Sequence, residues 1–236
     1  MAVGTSHSGE VCIAILPARA GSKRIPRKNI RDFCGKPIIE YSIKAALESQ
    51  LFESVVVSSD DDRIGSIAAQ AGAVYYRRHP ASARDNSPMV DAVREVLNYQ
   101  ANRGEVFDKV CMIYPCAPFL TGARLQEGYL HMTDGYDFCY PVFHGPPMER
   151  AMYINNGKIH PRMPYHFSRN GQDWPESYYP AEGWWWARCS SIEIYNALYG
   201  GWDYGLVVPR HEVQAIDTEE DWKEAEHRWG ALHGSE

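Results

Sequence analysis

The stretch ILPARAGSKRIPRKNI at 15–30 gathers most of the residues that could do phosphate chemistry. Arg19, Lys23, Arg24, Arg27 and Lys28 lie inside it and Arg31 just beyond, in a chain whose formal net charge is −6. Ala20, Gly21 and Ser22 are small, so backbone N–H groups there can approach an anion closely, and Ser22 adds a hydroxyl. Arg19, Lys23 and Lys28 supply the charges that a triphosphate can satisfy. The spacing is not GxxxxGKS/T, which excludes a P-loop, and it lacks GxGxxG, which removes the support for a dinucleotide fold. A run of charges is most often a solvated turn. This one is set apart by its position directly after an apolar strand, where open α/β sheets bind their ligands.

The elements that must position this loop follow from the hydrophobic pattern. VCIAIL at 11–16 is a continuous apolar run, as expected of a strand buried on both faces. After the loop, Pro37 opens a helix whose apolar face is Ile38, Ile39, Ile43, Ala46 and Leu47. SVVVSSD is a second strand, DDRIGSIAAQAG a helix closed by Gly72, and AVYY a third strand. SPMVDAVREVLNYQ reads as a helix, KVCMIYP as a fourth strand and GARLQEGYLHM as another helix. This alternation through about residue 140 predicts a mostly parallel sheet with helices on both faces. Residues 141–183 break it, being rich in Pro, Gly, Tyr and Arg, with NNG at 155–157 as a hairpin signal. Alternation resumes with WWWARCSSIEIYNALYG, YGLVVP and TEEDWKEAEHRW. The expected organisation is a polar tail at 1–10 and one α/β domain at 11–236. The domain carries an inserted element at about 141–183, of the kind that serves as a lid, binding loop or oligomer contact.

Composition narrows the function. With 44% hydrophobic and 23% charged residues in 236, the chain can bury one sizeable core and is not of disordered composition. No apolar run approaches membrane-spanning length, and the first ten residues are polar and unlike a secretory signal. The six cysteines show no CxxC pair and no metal-ligand spacing, so they read as reduced core thiols of a cytoplasmic protein. An acidic chain lacks the broad basic face of a nucleic-acid binder, so the basic loop suits a small anion.

LPARAGSKRIPRKNI followed by GKPIIEYSIKAALES closely resembles the CMP-nonulosonic acid cytidylyltransferases, the enzymes related to CMP-sialic acid synthetase. The resemblance covers nearly the whole chain: VVVSSDDDRIGSIAAQAGA, YRRHPASARDNS, IYPCAPF and QAIDTEEDW match successive motifs. Among the branches, IYPCAPF and VQAIDTEEDW are most similar to the pseudaminic acid cytidylyltransferases. The resemblance implies a Rossmann-like nucleotidyltransferase fold. The implied reaction is transfer of CMP from CTP to the anomeric hydroxyl of a nonulosonic acid, with release of pyrophosphate. It implies catalytic roles for Arg19, Lys23 and Lys28, which match phosphate-contacting positions. A CTP site built from Pro17, Ala18, Gly21, Ser22, Asn29 and Pro115 is implied around them, with Arg78 and Asp85 in the segment that reads cytidine. Arg78 reads equally as a surface arginine, and Asp85 equally as a helix N-cap. Asp217 matches a ligand for Mg2+, although it also suits an N-cap. The inserted element corresponds to the family's protruding element, which implies a homodimer. Lys158, Arg162 and Arg169 there are candidates for the sugar carboxylate, and read equally as charges on the dimer surface.

Three departures from the family pattern bear on function. Ala215 stands where sialic acid enzymes often carry a second carboxylate, so metal affinity should fall. EGWWWAR at 182–188 replaces AGQFYW. On a strand Trp184 and Trp186 point together and Trp185 opposite, so one face is core. The expectation is that Glu182, Trp184 and Trp186 line the sugar cavity. Cys116 stands where Thr is usual and reads as a small pocket-lining residue, not a nucleophile. The alternatives are the same chemistry on a legionaminic, sialic or Kdo-type acid, or a non-catalytic protein that binds CTP or a CMP-sugar.

Overall fold

The computed structural model describes residues 9–80, 82–84, 86–132, 135–166 and 174–234. The apolar run after the tail forms β1 (Cys12–Pro17). A small hairpin of β2 (Asp32–Phe33) and β3 (Lys36–Pro37) then leads into α1 (Ile39–Glu48), so Pro37 ends a strand and the helix starts two residues later than expected. β4 (Ser54–Ser59), α2 (Asp62–Gln70), β5 (Val74–Arg77), α3 (Met89–Ala101), β6 (Lys109–Ile113) and α4 (Gly122–His131) complete the alternating half. β7 (Phe138–Gly145), β8 (Met152–Asn155), β9 (Lys158–Pro161), β10 (Ser177–Pro180), β11 (Trp184–Arg188), α5 (Cys189–Tyr195), β12 (Asp203–Val207) and α6 (Glu219–His233) follow.

One sheet carries eight strands in the order β10-β7-β11-β6-β1-β4-β5, with β12 added on β7. β6, β1, β4 and β5 are mutually parallel, as the alternation predicts. β11 and the edge strand β10 are the exceptions: β10 runs antiparallel on β7, and β11 runs antiparallel between β6 and β7, so β7 does not pair with β6 although it follows α4. The two ends of the expected insertion join this sheet. β7 continues to Gly145, and β10 returns to pair with it. Within the insertion, the β8–β9 hairpin pairs as a separate sheet. Its turn residues Asn156 and Gly157 are both at positive φ, 49° and 76°, as a tight two-residue hairpin turn requires.

The period of two along β1 divides the core between the two faces. Cys12, Ala14 and Leu16 pack with Ile39 and Ile43 of α1, Ile64 of α2 and Leu125 of α4. Ile13 and Ile15 pack on the other face with Val90, Val93 and Val96 of α3 and Ile192 of α5. Complete burial of each such side chain contributes about 1.5–3 kcal/mol. Leu47, expected on the buried face of α1, lies at its exposed rim. A third cluster of Ile25, Phe33, Ile38, Ile216, Trp222 and Ala225 fastens α6 over the basic loop and the β2–β3 hairpin.

Of the expected tail, residues 1–8 lie outside the described residues. Glu10 belongs to the folded body, because its carboxylate pairs with the buried ammonium of Lys109. All six cysteines are free; Cys12, Cys111 and Cys139 are buried and Cys34 is exposed. Among the described residues, no helix is long and apolar enough to cross a membrane.

Candidate active site

β1 ends at Pro17 and β6 at Ile113, side by side in the sheet. Beyond their carboxyl ends, where open α/β sheets place their ligands, opens a cleft of about 600 Å3. Its walls come from the basic loop (Pro17, Arg19, Ser22, Lys23, Arg24, Lys28, Asn29), the turn after β6 (Tyr114, Pro115, Cys116) and the segment before α6 (Ile216, Asp217). Arg78, Ser82, Arg84 and Ser87 line the side toward α3, and Glu182 stands just before β11. Arg24 and Asp217, 193 positions apart, thus face one space. The cations cluster where a polyanion would be held, with two carboxylates opposite them.

The basic loop is held in shape by polar contacts from its neighbours. Ala18 N–H donates to Ser58 O (2.9 Å), and Ala20 N–H donates to Asp60 Oδ1 (2.9 Å). Ser22 N–H donates to Ala20 O (2.9 Å). These internal bonds occupy the Ala20 and Ser22 amides, which the sequence offers to an anion, while the side chains of Arg19, Lys23 and Lys28 line the cleft. Gly21 adjoins open space, while Ala18 is fully buried beneath the loop. Neither is among the residues lining the cleft. Asn29 clamps the base of the loop: its Nδ2 donates to Arg19 O (2.8 Å), and its Oδ1 accepts the Cys116 S–H (3.1 Å). Burial pushes the Cys116 thiol up to about 12, so it is a neutral hydrogen-bond donor and no nucleophile.

Lys28 Nζ donates to Ile216 O at 2.6 Å and lies 3.5 Å from Asp217 Oδ1. The same carboxylate oxygen accepts from Arg24 Nη2 at 2.7 Å. Asp217 is not the N-cap of α6. Thr218 is, in a capping box with Asp221, which leaves the Asp217 carboxylate to the cations. The Glu182 carboxyl is raised by partial burial and then by the neighbouring Asp217 charge, against the opposing pull of Lys28 and Arg24. Both burial and a like charge disfavour its ionised form.

Arg78 is not a surface residue. It is 6% exposed, and its guanidinium donates from Nε to Ser58 Oγ (3.0 Å) and from Nη2 to Ser58 O (2.6 Å). Burial lowers its pKa, which the charges of Asp60 and Glu95 oppose. Glu95 on α3 gathers the loop after β5, accepting His79 N–H (2.7 Å), Tyr76 O–H (3.0 Å) and Ser82 O–H. Glu95 does not stand out in the sequence, because it acts through a loop brought to it by the fold. Asp60 opens the acidic run at 60–62, which reads as a helix start or a further metal donor, and instead holds the basic loop. Asp85 lies outside the described residues.

The tryptophans need correction. Trp184 and Trp186 are at most 1% exposed and do not line the cleft. Trp186 stacks on Phe52. The two tryptophan rings press against α4 at Gly128, where an added Cβ would lie 2.4 Å from Trp184 Cη2. Their strand face is the one α4 covers, so burial wins over solvent contact. Trp185 packs on the opposite face between Tyr114 and Tyr140. Lys158 and Arg162 lie on or beside the β8–β9 hairpin and do not line the cleft; Arg169 lies outside the described residues.

A family model described as cytidylyltransferase matches residues 13–136. The pseudaminic acid cytidylyltransferase of Campylobacter jejuni subsp. jejuni (serotype O:23/36, strain 81-176) is 32% identical over 228 residues, covering 94% of this chain and 98% of that protein. The CMP-N,N'-diacetyllegionaminic acid synthase of Legionella pneumophila subsp. pneumophila (strain Philadelphia 1) is 42% identical over 125 residues, 52% of this chain and 54% of that protein. Among solved structures, a CMP:2-keto-3-deoxy-manno-octonic acid synthetase complexed with CTP superposes with a TM-score of 0.70 at 16% identity. The match covers 94% of this chain and 99% of that one, a likeness of fold.

Proposed function

The chain belongs to the cytidylyltransferase family, and from that premise we propose that it transfers CMP from CTP to the anomeric hydroxyl of a nonulosonic acid of the pseudaminic type. The observation that carries the reading is the cleft that gathers Arg19, Lys23, Lys28 and Asp217 at the end of β1, in a chain similar along nearly its whole length to a pseudaminic acid cytidylyltransferase. The new bond joins the anomeric oxygen to the α-phosphorus. The bond that breaks is that between the α-phosphorus and the bridging oxygen, which leaves with pyrophosphate. Arg19, Lys23 and Lys28 hold the triphosphate and offset the charge that grows on the leaving group. Arg78, fixed by Ser58, and the loop gathered by Glu95 form the side of the cleft that receives cytidine. Glu182 accepts the hydrogen bond of the anomeric hydroxyl, and its proton as the bond forms. Its raised pKa suits a base.

Mg2+ fits the donor set. Among the described residues, no group of three His, Cys, Asp or Glu side chains could hold a metal alone. Asp217 offers one hard oxygen donor in the cleft, and Mg2+ commonly takes one or two carboxylates with phosphate oxygens and water. Asp217 would hold the ion, which supplies further charge neutralisation at the phosphates. The chain acts as a homodimer, a reading supported by the β8–β9 hairpin. Ile154 and Ile159 there are 72% and 64% exposed, and an isolated two-stranded hairpin is marginal in water.

Pyrophosphate release with CTP and Mg2+ across pseudaminic, legionaminic, sialic and Kdo acids tests the reading. The expected outcome is release with the pseudaminic acid well above the others. A stronger response to another acid would move the substrate. Silence across all four, with CTP still raising the melting temperature, would sink the catalytic reading in favour of a nucleotide-binding protein.

A further inference from the structure

Asp217 reaches the cleft on the segment that joins β12 to α6. The segment is held at both ends: Val208 N–H donates to Val142 O (2.8 Å), and Ile216 is buried beside the α6 ring cluster. Between them lies a single tight turn, Arg210–Glu212, closed by Glu212 N–H to Pro209 O (2.9 Å) and Val213 N–H to Arg210 O (3.3 Å). Among the described residues, the ion pair that ties this turn to the rest of the molecule is Glu212 with Arg124 of α4. Arg124 Nη2 donates to Glu212 Oε1 at 2.8 Å and Nε to Oε2 at 2.9 Å. The third guanidinium nitrogen, Nη1, donates to Glu127 one turn along the same helix.

A two-point fork fixes the plane of a carboxylate as well as its distance, which a single contact does not. Exposed ion pairs contribute little to stability as a rule, but a bidentate arginine is the exception. This pair is sheltered, with side-chain exposures of 23% and 31%. Arg124 stands in the first turn of α4, just after the loop that carries Tyr114, Pro115 and Cys116 in one wall of the cleft. Glu212 stands five residues before Asp217 in the other wall. The fork therefore joins the two walls, although neither residue lines the cleft itself. Both border the small cavity beside it, which shares Glu182 with the cleft.

We infer that Arg124 and Glu212 are positioning residues that set where Asp217 stands against the opposite wall, and so govern how strongly a divalent cation tightens CTP binding. The inference rests on the reading of Asp217 as the Mg2+ ligand. Because Ile216 remains buried without the fork, its loss weakens the metal effect and does not abolish it.

Calorimetric titration of CTP with Mg2+ and with EDTA tests this on the whole chain, its Arg124→Gln and Glu212→Gln variants and the double variant. Each single variant should lower the Mg2+ enhancement of CTP affinity roughly 3- to 10-fold without weakening metal-free CTP binding. The double variant should lose no more than either single one, since both changes break one unit. Arg124→Lys, which keeps the charge without the fork, should fall between, and it carries the test if the glutamine variants do not fold. Additive losses, equal loss of metal-free affinity, or a lower melting temperature with the Mg2+ enhancement intact would each overturn the inference. If the unsubstituted chain itself gains nothing from Mg2+, the metal reading of Asp217 falls and takes this inference with it. If that chain gains and the variants keep the gain, the positioning role alone is refuted.

Discussion

Asp217 meets two cations, Arg24 at 2.7 Å and Lys28 at 3.5 Å, and these are cations that a triphosphate would also claim. A carboxylate in that position opposes a bare polyanion twice, by its own charge and by occupying the groups that would bind it. If a divalent ion takes the carboxylate, Arg24 and Lys28 are released to the phosphates, so metal and nucleotide bind in concert. Asp217→Asn should therefore tighten CTP in EDTA by roughly tenfold, about 1.4 kcal/mol, while turnover with Mg2+ falls. Calorimetry and pyrophosphate release measure the two effects separately, and an unchanged metal-free affinity would mean that Asp217 does not restrain the cations. The sequence makes Asp217, Lys28 and Arg19 legible because their motifs are local. It says nothing of the Arg24–Asp217 contact, which spans 193 residues. It also leaves Arg78 undecided, since RRH at 77–79 has the composition of a solvated run; the buried serine that receives its guanidinium is 20 residues away.

At the scale of elements, β11 illustrates how context chooses between readings of one motif. Three tryptophans in a row must divide between the faces of a strand, which the sequence establishes. Which face is covered depends on α4, and α4 can approach because Gly128 presents no Cβ to Trp184. Gly128→Ala would place a methyl 2.4 Å from one ring and 3.0 Å from Trp186 Cδ1. Overpacking of this kind costs about 1–3 kcal/mol, and each kcal/mol lowers the melting temperature of a domain this size by roughly 2–4 °C. A thermal melt checks this, and unchanged stability would show that α4 can shift away freely. Pyrophosphate release at a temperature where the variant is folded should be little changed, because the tryptophans serve the core.

At the scale of the whole molecule, the β8–β9 hairpin stands apart from the main sheet and carries apolar side chains in the open: Met152, Tyr153, Ile154 and Ile159. Burial of these between two copies would account for them. The double substitution Ile154→Asp with Ile159→Asp should shift the chain to monomer in analytical ultracentrifugation. A wild-type monomer at micromolar concentration would remove the dimer from the proposal. By itself the sequence determined the alternation of buried strands and amphipathic helices, the basic loop at the end of the first strand and the hairpin turn at Asn156–Gly157, because each depends on neighbours a few residues apart. The tertiary structure alone decided the antiparallel insertion of β11, the covered face of the tryptophans, the burial of Arg78 and the Arg124–Glu212 fork. Those outcomes depend on which distant segments win a common burial site or share one charge, and a contact between residues 88 positions apart leaves no periodic trace along the chain.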